Sequence, residues 1–150
     1  GNDVNVLEFN ARFGDPEAEV YMRLLDSDLL EILQACADGT LEPDTVKWKP
    51  GFATTVVLAA PGYPESYPKG SPITGIEEAE KLKDIVVFHA GTAVKDGQIV
   101  TAGGRVLNVT ATGLTLEEAL DKAYAAIKLI NFEGMQYRTD IGRRPSSGKV

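Results

Sequence analysis

The chain has 150 residues, 43% of them hydrophobic and 25% charged, which is enough for a compact domain with a buried core. A net charge of -7 argues against a general nucleic-acid binder, whose electrostatics demand a basic face. No apolar run approaches the roughly 18–20 residues of a membrane span, so neither nucleic acid nor membrane is indicated as a partner. The single cysteine cannot close an internal disulfide, which suits a reducing cytoplasm.

Residues 4–9 follow turn chemistry at Gly1-Asn2-Asp3 and predict a strand. One strand cannot bury both faces, so it is expected to join a sheet whose other members belong to a longer protein. Asp15-Pro16-Glu17 predicts a helix start, with Asp15 as N-cap and Pro16 at the first helical position. Ser27 or Asp28 restarts or continues this helix. Leu29, Ile32, Leu33 and Cys36 then recur at helical spacing, which places Cys36 on a buried face as a small apolar residue. Gly39 is the expected C-terminal cap, and residues 40–51, with Pro43, Pro50 and Gly51, read as a connector.

Residues 53–60 predict an apolar, β-branched strand stopped by Pro61-Gly62-Tyr63-Pro64. Ile73-Thr74 suggests a short strand and residues 77–82 a short helix. Residues 85–94 predict one strand, turned back at Lys95-Asp96-Gly97-Gln98 because Asp-Gly readily adopts the positive φ of hairpin turns. The chain returns over 99–101, breaks at Gly103-Gly104 and resumes over 105–111. Thr115-Leu116-Glu117-Glu118 reads as a capping box. Its helix carries Leu116, Ala119, Leu120, Ala123, Tyr124, Ile127 and Ile130 on one stripe. Residues 135–138 suggest a last strand, and 143–150 are expected to fray. Strands joined by hairpins with one packed helix make the fold α+β and mainly antiparallel.

The chemistry concentrates near the start. On a strand Glu8 and Asn10 project to the same face, and their oxygens are hard donors suited to Mg²⁺. The same alternation also describes a plain solvated strand face. Arg12 can offer a guanidinium fork to phosphate or carboxylate, and Gly14 lets backbone approach a ligand. The helix that follows would point its positive end the same way. A simple strand–turn–helix junction with Asp15 only capping accounts for the same residues. His89, the only histidine, reads either as a hydrogen-bonded structural residue or as part of a site.

The run Glu8-Phe9-Asn10-Ala11-Arg12-Phe13-Gly14-Asp15-Pro16-Glu17 resembles the signature of phosphoribosylamine–glycine ligases, also called glycinamide ribonucleotide synthetases. The similarity continues through Leu24-Leu25-Asp26-Ser27-Asp28-Leu29 and Ala60-Pro61-Gly62-Tyr63-Pro64. It resumes at Phe88-His89-Ala90-Gly91-Thr92, Gly103-Gly104-Arg105-Val106-Leu107 and Tyr137-Arg138-Thr139-Asp140-Ile141-Gly142. These blocks keep the family's order over nearly the whole chain. Two positions depart from the pattern: Pro61, where many members have a small residue, and Arg143, where the position is often aromatic.

The resemblance implies an ATP-dependent ligase of purine synthesis that joins glycine to 5-phosphoribosylamine through an acyl phosphate. It implies Mg²⁺ (or Mn²⁺) held by Glu8 and Asn10, with ATP as co-substrate. Arg12 and Asp15 would be the catalytic residues, and Gly14, His89, Thr92 and Arg105 would contact substrate. Residues 1–39 would be the end of an ATP-grasp domain, 40–51 a connector, 52–142 the ligase C-terminal domain and 143–150 a flexible tail. The missing amino-terminal part of the same enzyme would be the chief partner. The 150 residues show no Gly-rich lid and no phosphate-binding lysine strand pair, so by themselves they are expected not to turn over ATP. A related ATP-grasp carboxylase or formate-using purine enzyme is the nearest alternative, although those relatives lack the R-F-G-D-P-E block. A noncatalytic stand-alone module is another.

Overall fold

A computed structural model of the chain describes residues 5, 6 and 8–143. Val4 and Leu7 of the predicted opening strand lie outside these residues, as does the tail from 144 onward. Asn5, Val6, Glu8 and Phe9 carry no regular structure, because no described segment offers them a ladder to join. Helix α1 spans Glu17–Leu24 and helix α2 Leu29–Asp38. Asp28 settles the second start: its Oδ1 accepts from the Leu30 amide at 2.8 Å and the Glu31 amide at 3.2 Å. Gly39 closes α2 in the left-handed region, as expected.

The expected burial of Cys36 is not observed. The thiol is exposed, and α2 buries none of its residues among the described ones. The helical spacing is there, but the face is only partly covered: Leu29 and Ile32 are half-buried, while Leu33 and Cys36 stay exposed. The connector instead returns along the link between the two helices. The Asp26 amide donates to the Lys47 carbonyl at 3.0 Å and the Lys49 amide to the Leu24 carbonyl at 2.7 Å.

The core lies in the second part of the chain. Strands β1 (Phe52–Ala59), β2 (Ile85–His89) and β5 (Arg105–Gly113) form an antiparallel sheet in the order β1-β5-β2. Val56 and Val87 both sit opposite Val109 of the central strand. Alternation along β1 sends Thr54, Val56 and Leu58 inward. The predicted strand over 85–94 is two strands. Ala90-Gly91 carries the chain out of the sheet, and β3 (Thr92–Lys95) pairs only with β4 (Gln98–Thr101). Their turn places Asp96 and Gly97 at φ 50° and 77°, the paired positive angles foreseen for that hairpin. Ile73-Thr74 and 135–138 are not strands. Each region makes isolated bridges only, Pro72 with Val100, Thr74 with Asn131, and Gln136 with Ala59.

Helix α3 covers Ile76–Glu80, and α4 covers Leu116–Ile127. Thr115 Oγ1 caps α4 by accepting from the Glu118 amide at 3.1 Å. The Glu118 carboxylate takes the Leu114 amide at 2.8 Å rather than that of the cap residue itself. Ala119, Leu120, Ala123, Ala126 and Ile127 of α4 are buried. The core cluster joins Ala123, Ala126 and Ile127 to Val56, Leu58, Val109, Ile130 and Phe132. Lys122 pins the outer side of α4, reaching Asp84 and Glu118 at 2.7 Å each. Its hydrogen bonds hold both carboxyls below the usual carboxylate range. At the far end Arg143 lies over the Tyr124 ring, 5.6 Å from the centroid. The opposite face of the sheet receives α1, whose packing sets the geometry of the candidate site.

Candidate active site

Asn10, Ala11, Arg12, Phe13, Gly14, Glu17 and Tyr21 line an open groove of about 580 Å³ where the leading segment enters α1. The side chains of Glu8 and Asn10 meet, with Asn10 Nδ2 donating to Glu8 Oε1 at 3.1 Å. A strand is therefore not needed to bring the two together. Both are exposed. Arg12 is exposed as well and, among the described residues, donates to the neighbouring Phe13 carbonyl alone, at 3.2 Å. That local contact leaves donors of its fork for an incoming anion. Gly14 is buried, and its carbonyl accepts from the Ala18 amide at 2.9 Å, the first bond of the helix.

Asp15 does not cap α1. Pro16 occupies the N-cap position, and no side chain caps that end. The residue has turned toward β5 instead. Arg105 donates Nη1–H to the Asp15 carbonyl at 2.8 Å and Nη2–H to its Oδ2 at 3.4 Å. Asn108 Nδ2 donates to Asp15 Oδ1 at 3.3 Å and to Glu19 Oε1 at 2.7 Å. One turn further along, Arg23 Nη2 donates to the Asp84 carbonyl at 3.3 Å. Glu19 and Arg23 are one turn apart on α1, and Asp15, just ahead of the helix, extends the same polar stripe through Asn108. That stripe lies on the sheet face where Thr110 and Thr55 share a 2.8 Å hydroxyl bond. The interface between the leading segment and the sheet is thus polar, where α4 on the other face is apolar.

Asn108 and Glu19 were not singled out from the sequence. A signal existed: Asn108 and Thr110 are the polar pair in an otherwise apolar stretch of central strand, and both are buried. Buried polar groups at alternate positions call for partners on a facing element.

The predicted residues of the second part converge on one corner. His89 Nδ1 and Thr92 Oγ1 are 2.9 Å apart across the turn that leaves β2. Within that turn the Gly91 amide donates to the Arg105 carbonyl at 2.8 Å, and the Gly91 carbonyl accepts from Ala102 at 2.7 Å and Gly103 at 3.0 Å. The His89–Thr92 turn and the Gly103-Gly104-Arg105 bend are therefore one hydrogen-bonded unit. Among the described residues no hydrogen bond links His89 or Thr92 to residues 8–14; Arg105 makes the connection through Asp15. No group of three or more His, Cys, Asp or Glu side chains could hold a metal among the described residues. The Glu8–Asn10 pair supplies at most two donors.

Fold and site define an α+β domain with an antiparallel sheet, an apolar helix on one face and a groove-lining loop docked through polar contacts on the other. Residues 53–144 match the protein family described as "Phosphoribosylglycinamide synthetase, C domain", and the chain belongs to that family. Over 139 residues it is 50% identical to the phosphoribosylamine–glycine ligase of Brucella melitensis, covering 93% of this chain and 33% of that protein. It is 51% identical over 142 residues to the bifunctional purine biosynthetic protein purD of Dictyostelium discoideum, covering 94% of this chain and 17% of the relative. The crystal structure of phosphoribosylamine–glycine ligase from Thermotoga maritima matches with a TM-score of 0.74 at 43% identity, over 90% of this chain and 32% of that one. The resemblance read from the blocks between Glu8 and Gly142 is borne out, and so is the α+β, antiparallel fold. The chain spans about a third or less of the length of these relatives.

Proposed function

We propose that the protein carrying this chain joins glycine to 5-phosphoribosylamine at the expense of ATP, giving glycinamide ribonucleotide, ADP and phosphate. The glycine carboxylate attacks the γ-phosphorus and ADP leaves, forming glycyl phosphate. The amine of phosphoribosylamine then attacks the glycyl carbonyl, the amide bond forms and phosphate departs. Such chemistry depends on positioning and on neutralising charge as it moves between oxygens. The observation that carries this reading is the Glu8–Asn10 pair beside an outward-facing Arg12, within a chain about half identical to named ligases.

Glu8 and Asn10 fit a hard divalent cation. Rotation of the Asn10 amide puts its oxygen where its nitrogen now meets the Glu8 carboxylate, leaving two oxygen donors and open space for phosphate and water. Mg²⁺ or Mn²⁺ bound there would offset charge on the nucleotide phosphates. Arg12 faces the groove and receives the negative charge of the transferring phosphoryl or acyl phosphate. Gly14 keeps the wall of the groove low at the glycine end, beside Asp15. His89 and Thr92, already oriented toward each other, offer a ring nitrogen and a hydroxyl to the ribose phosphate. We assign the ATP cradle to an ATP-grasp domain in the part of the relatives that this chain does not span. That same part is the partner for the exposed face of α2. Soluble small-molecule substrates support the reading of a cytoplasmic protein that acts without nucleic acid or membrane.

The test is glycine-dependent ADP release by the full-length protein. Glu8→Ala is expected to lower kcat by about 100-fold or more at millimolar Mg²⁺ with an unchanged melting temperature. Wild-type turnover by that variant rules out the metal assignment, and absence of glycine dependence in the wild type rules out the ligase. The 150-residue chain alone is expected to release no ADP.

A further inference from the structure

We propose that Arg105 is a positioning residue, a clamp that fixes the segment from Glu8 to Gly14 by gripping the backbone and side chain of Asp15, rather than a direct contact to phosphoribosylamine. The inference rests on the ligase reading for its kinetic arm only.

The clamp begins with the local sequence Gly103-Gly104-Arg105. Any Cβ at Gly104 would run into the Tyr63 and Tyr67 rings, so the backbone there is seated against an aromatic pair whose centroids are 6.4 Å apart. A Cβ at Gly91 would lie 2.5 Å from the Arg105 carbonyl oxygen and 2.5 Å from the Gly103 Cα. The close approach of the two glycine segments lets the Gly91 amide reach that carbonyl at 2.8 Å. Arg105 also sits at the register shift between Leu58 and Ala59, where it pairs with Ala59 on the edge strand. Its backbone is therefore held from three directions before its side chain is considered.

The guanidinium reaches across to the leading segment. Its shorter contact, 2.8 Å, goes to the Asp15 carbonyl and not to the carboxylate, which stands at 3.4 Å. Both side chains are partly exposed, 38% and 46%, so charge attraction alone counts for little. The geometry matters more: two parallel donors on one residue fix both position and rotation of the chain there. Asn108 adds a third hydrogen bond, to Asp15 Oδ1, and ties it to Glu19 in the first turn of α1. Asp15 follows Gly14 directly, so the end of the groove-lining loop is anchored to the central strand of the sheet. The two glycine motifs, the tyrosine pair and Asp15 thereby serve one purpose, which is to hold the Glu8–Asn10–Arg12 face at a set distance from the sheet. A misplacement of about 1 Å in such a site can cost on the order of 100-fold in rate.

The experiment uses the full-length protein, wild type against Arg105→Lys and Arg105→Met, read by amide hydrogen exchange and by steady-state kinetics. Exchange of the Ala18 amide, which donates to the Gly14 carbonyl at 2.9 Å, is expected to rise by about tenfold or more, while the amides of the central strand stay protected. In the same variants kcat is expected to fall about 10- to 100-fold, with KM for 5-phosphoribosylamine within about twofold of wild type. Unchanged exchange of the Ala18 amide in a folded variant overturns the clamp. So does a raised KM for 5-phosphoribosylamine at unchanged kcat, the mark of a direct substrate contact. Should Arg105→Met not melt cooperatively, Arg105→Lys decides alone, since it keeps the charge and loses the fork. A wild-type protein without glycine-dependent ADP release sinks the ligase reading but leaves the exchange result to decide the clamp.

Discussion

Helices α2 and α4 both carry apolar residues at helical spacing, yet α4 buries five side chains and α2 buries none among the described residues. The difference lies in what each faces. The stripe of α4 lies on a sheet whose facing positions are Val56, Leu58 and Val109. On the stripe of α2, Leu29 and Ile32 are only half-buried, while Leu33 at 45% exposure and Cys36 are exposed. Periodicity in a sequence reports that a face is meant to be covered; it does not report whether the cover belongs to the same segment of chain. The polar side of α1 stands between these extremes, closing on the sheet through Asp15, Glu19 and Arg23 instead of an apolar stripe.

The contrast can be broken most directly at Phe132, which is 2% exposed in the core. Phe132→Ala is expected to destabilise the 150-residue chain by about 3–5 kcal/mol in denaturant unfolding, since the cavity adds to the lost transfer energy. Next in size is the cap of α4. Thr115→Ala removes the acceptor for the Glu118 amide and is expected to cost about 1 kcal/mol. Leu33→Ala on α2 is expected to cost less than about 0.5 kcal/mol in the same chain. A cost of about 2 kcal/mol or more in the full-length protein would show that the additional sequence covers this face.

The subtlest prediction concerns pH. Asp84 and Glu118 have carboxyls held below their ordinary values by hydrogen bonds from Lys122. Their stabilising contribution is therefore present above the ordinary carboxylate range and is lost as pH falls through the lowered folded values. Lys122 is raised by the same two partners, so its share holds at neutral pH and disappears only above the ordinary lysine range. Lys122→Met should make the melting temperature fall less steeply between neutral pH and about pH 3. An unchanged slope would mean that the three groups do not titrate together.

Much of the site could be read in the residues themselves. Asn10 and Arg12 do line one groove, Glu8 meets Asn10, and His89 and Thr92 do meet. Glu8 and Asn10 come together without the strand face that their alternation suggests. Asp15 shows the opposite case. Its place before Pro16-Glu17 has the pattern of a helix cap, and local propensity favours that role. Arg105 and Asn108, some 90 residues away in sequence, compete for the same oxygens and win, and no local pattern can report that competition. The strand predicted over 85–94 failed for a related reason. Ile85, Val86, Val87, Thr92 and Val94 are β-branched on both sides of the break, but the backbone of Gly91 between them is bonded to Gly103 and Arg105.

The amino-acid sequence by itself determined the family, the helix start at Thr115, the Asp96-Gly97 hairpin and the apolar stripe of α4, because each depends on neighbours within about a turn or on blocks in a set order. Tertiary structure alone decided which faces are covered, where the strand over 85–94 divides and what Asp15 binds. Those outcomes depend on which distant groups reach a given oxygen or surface first, and hydrogen-bond partners and apolar cover are properties of the assembled chain.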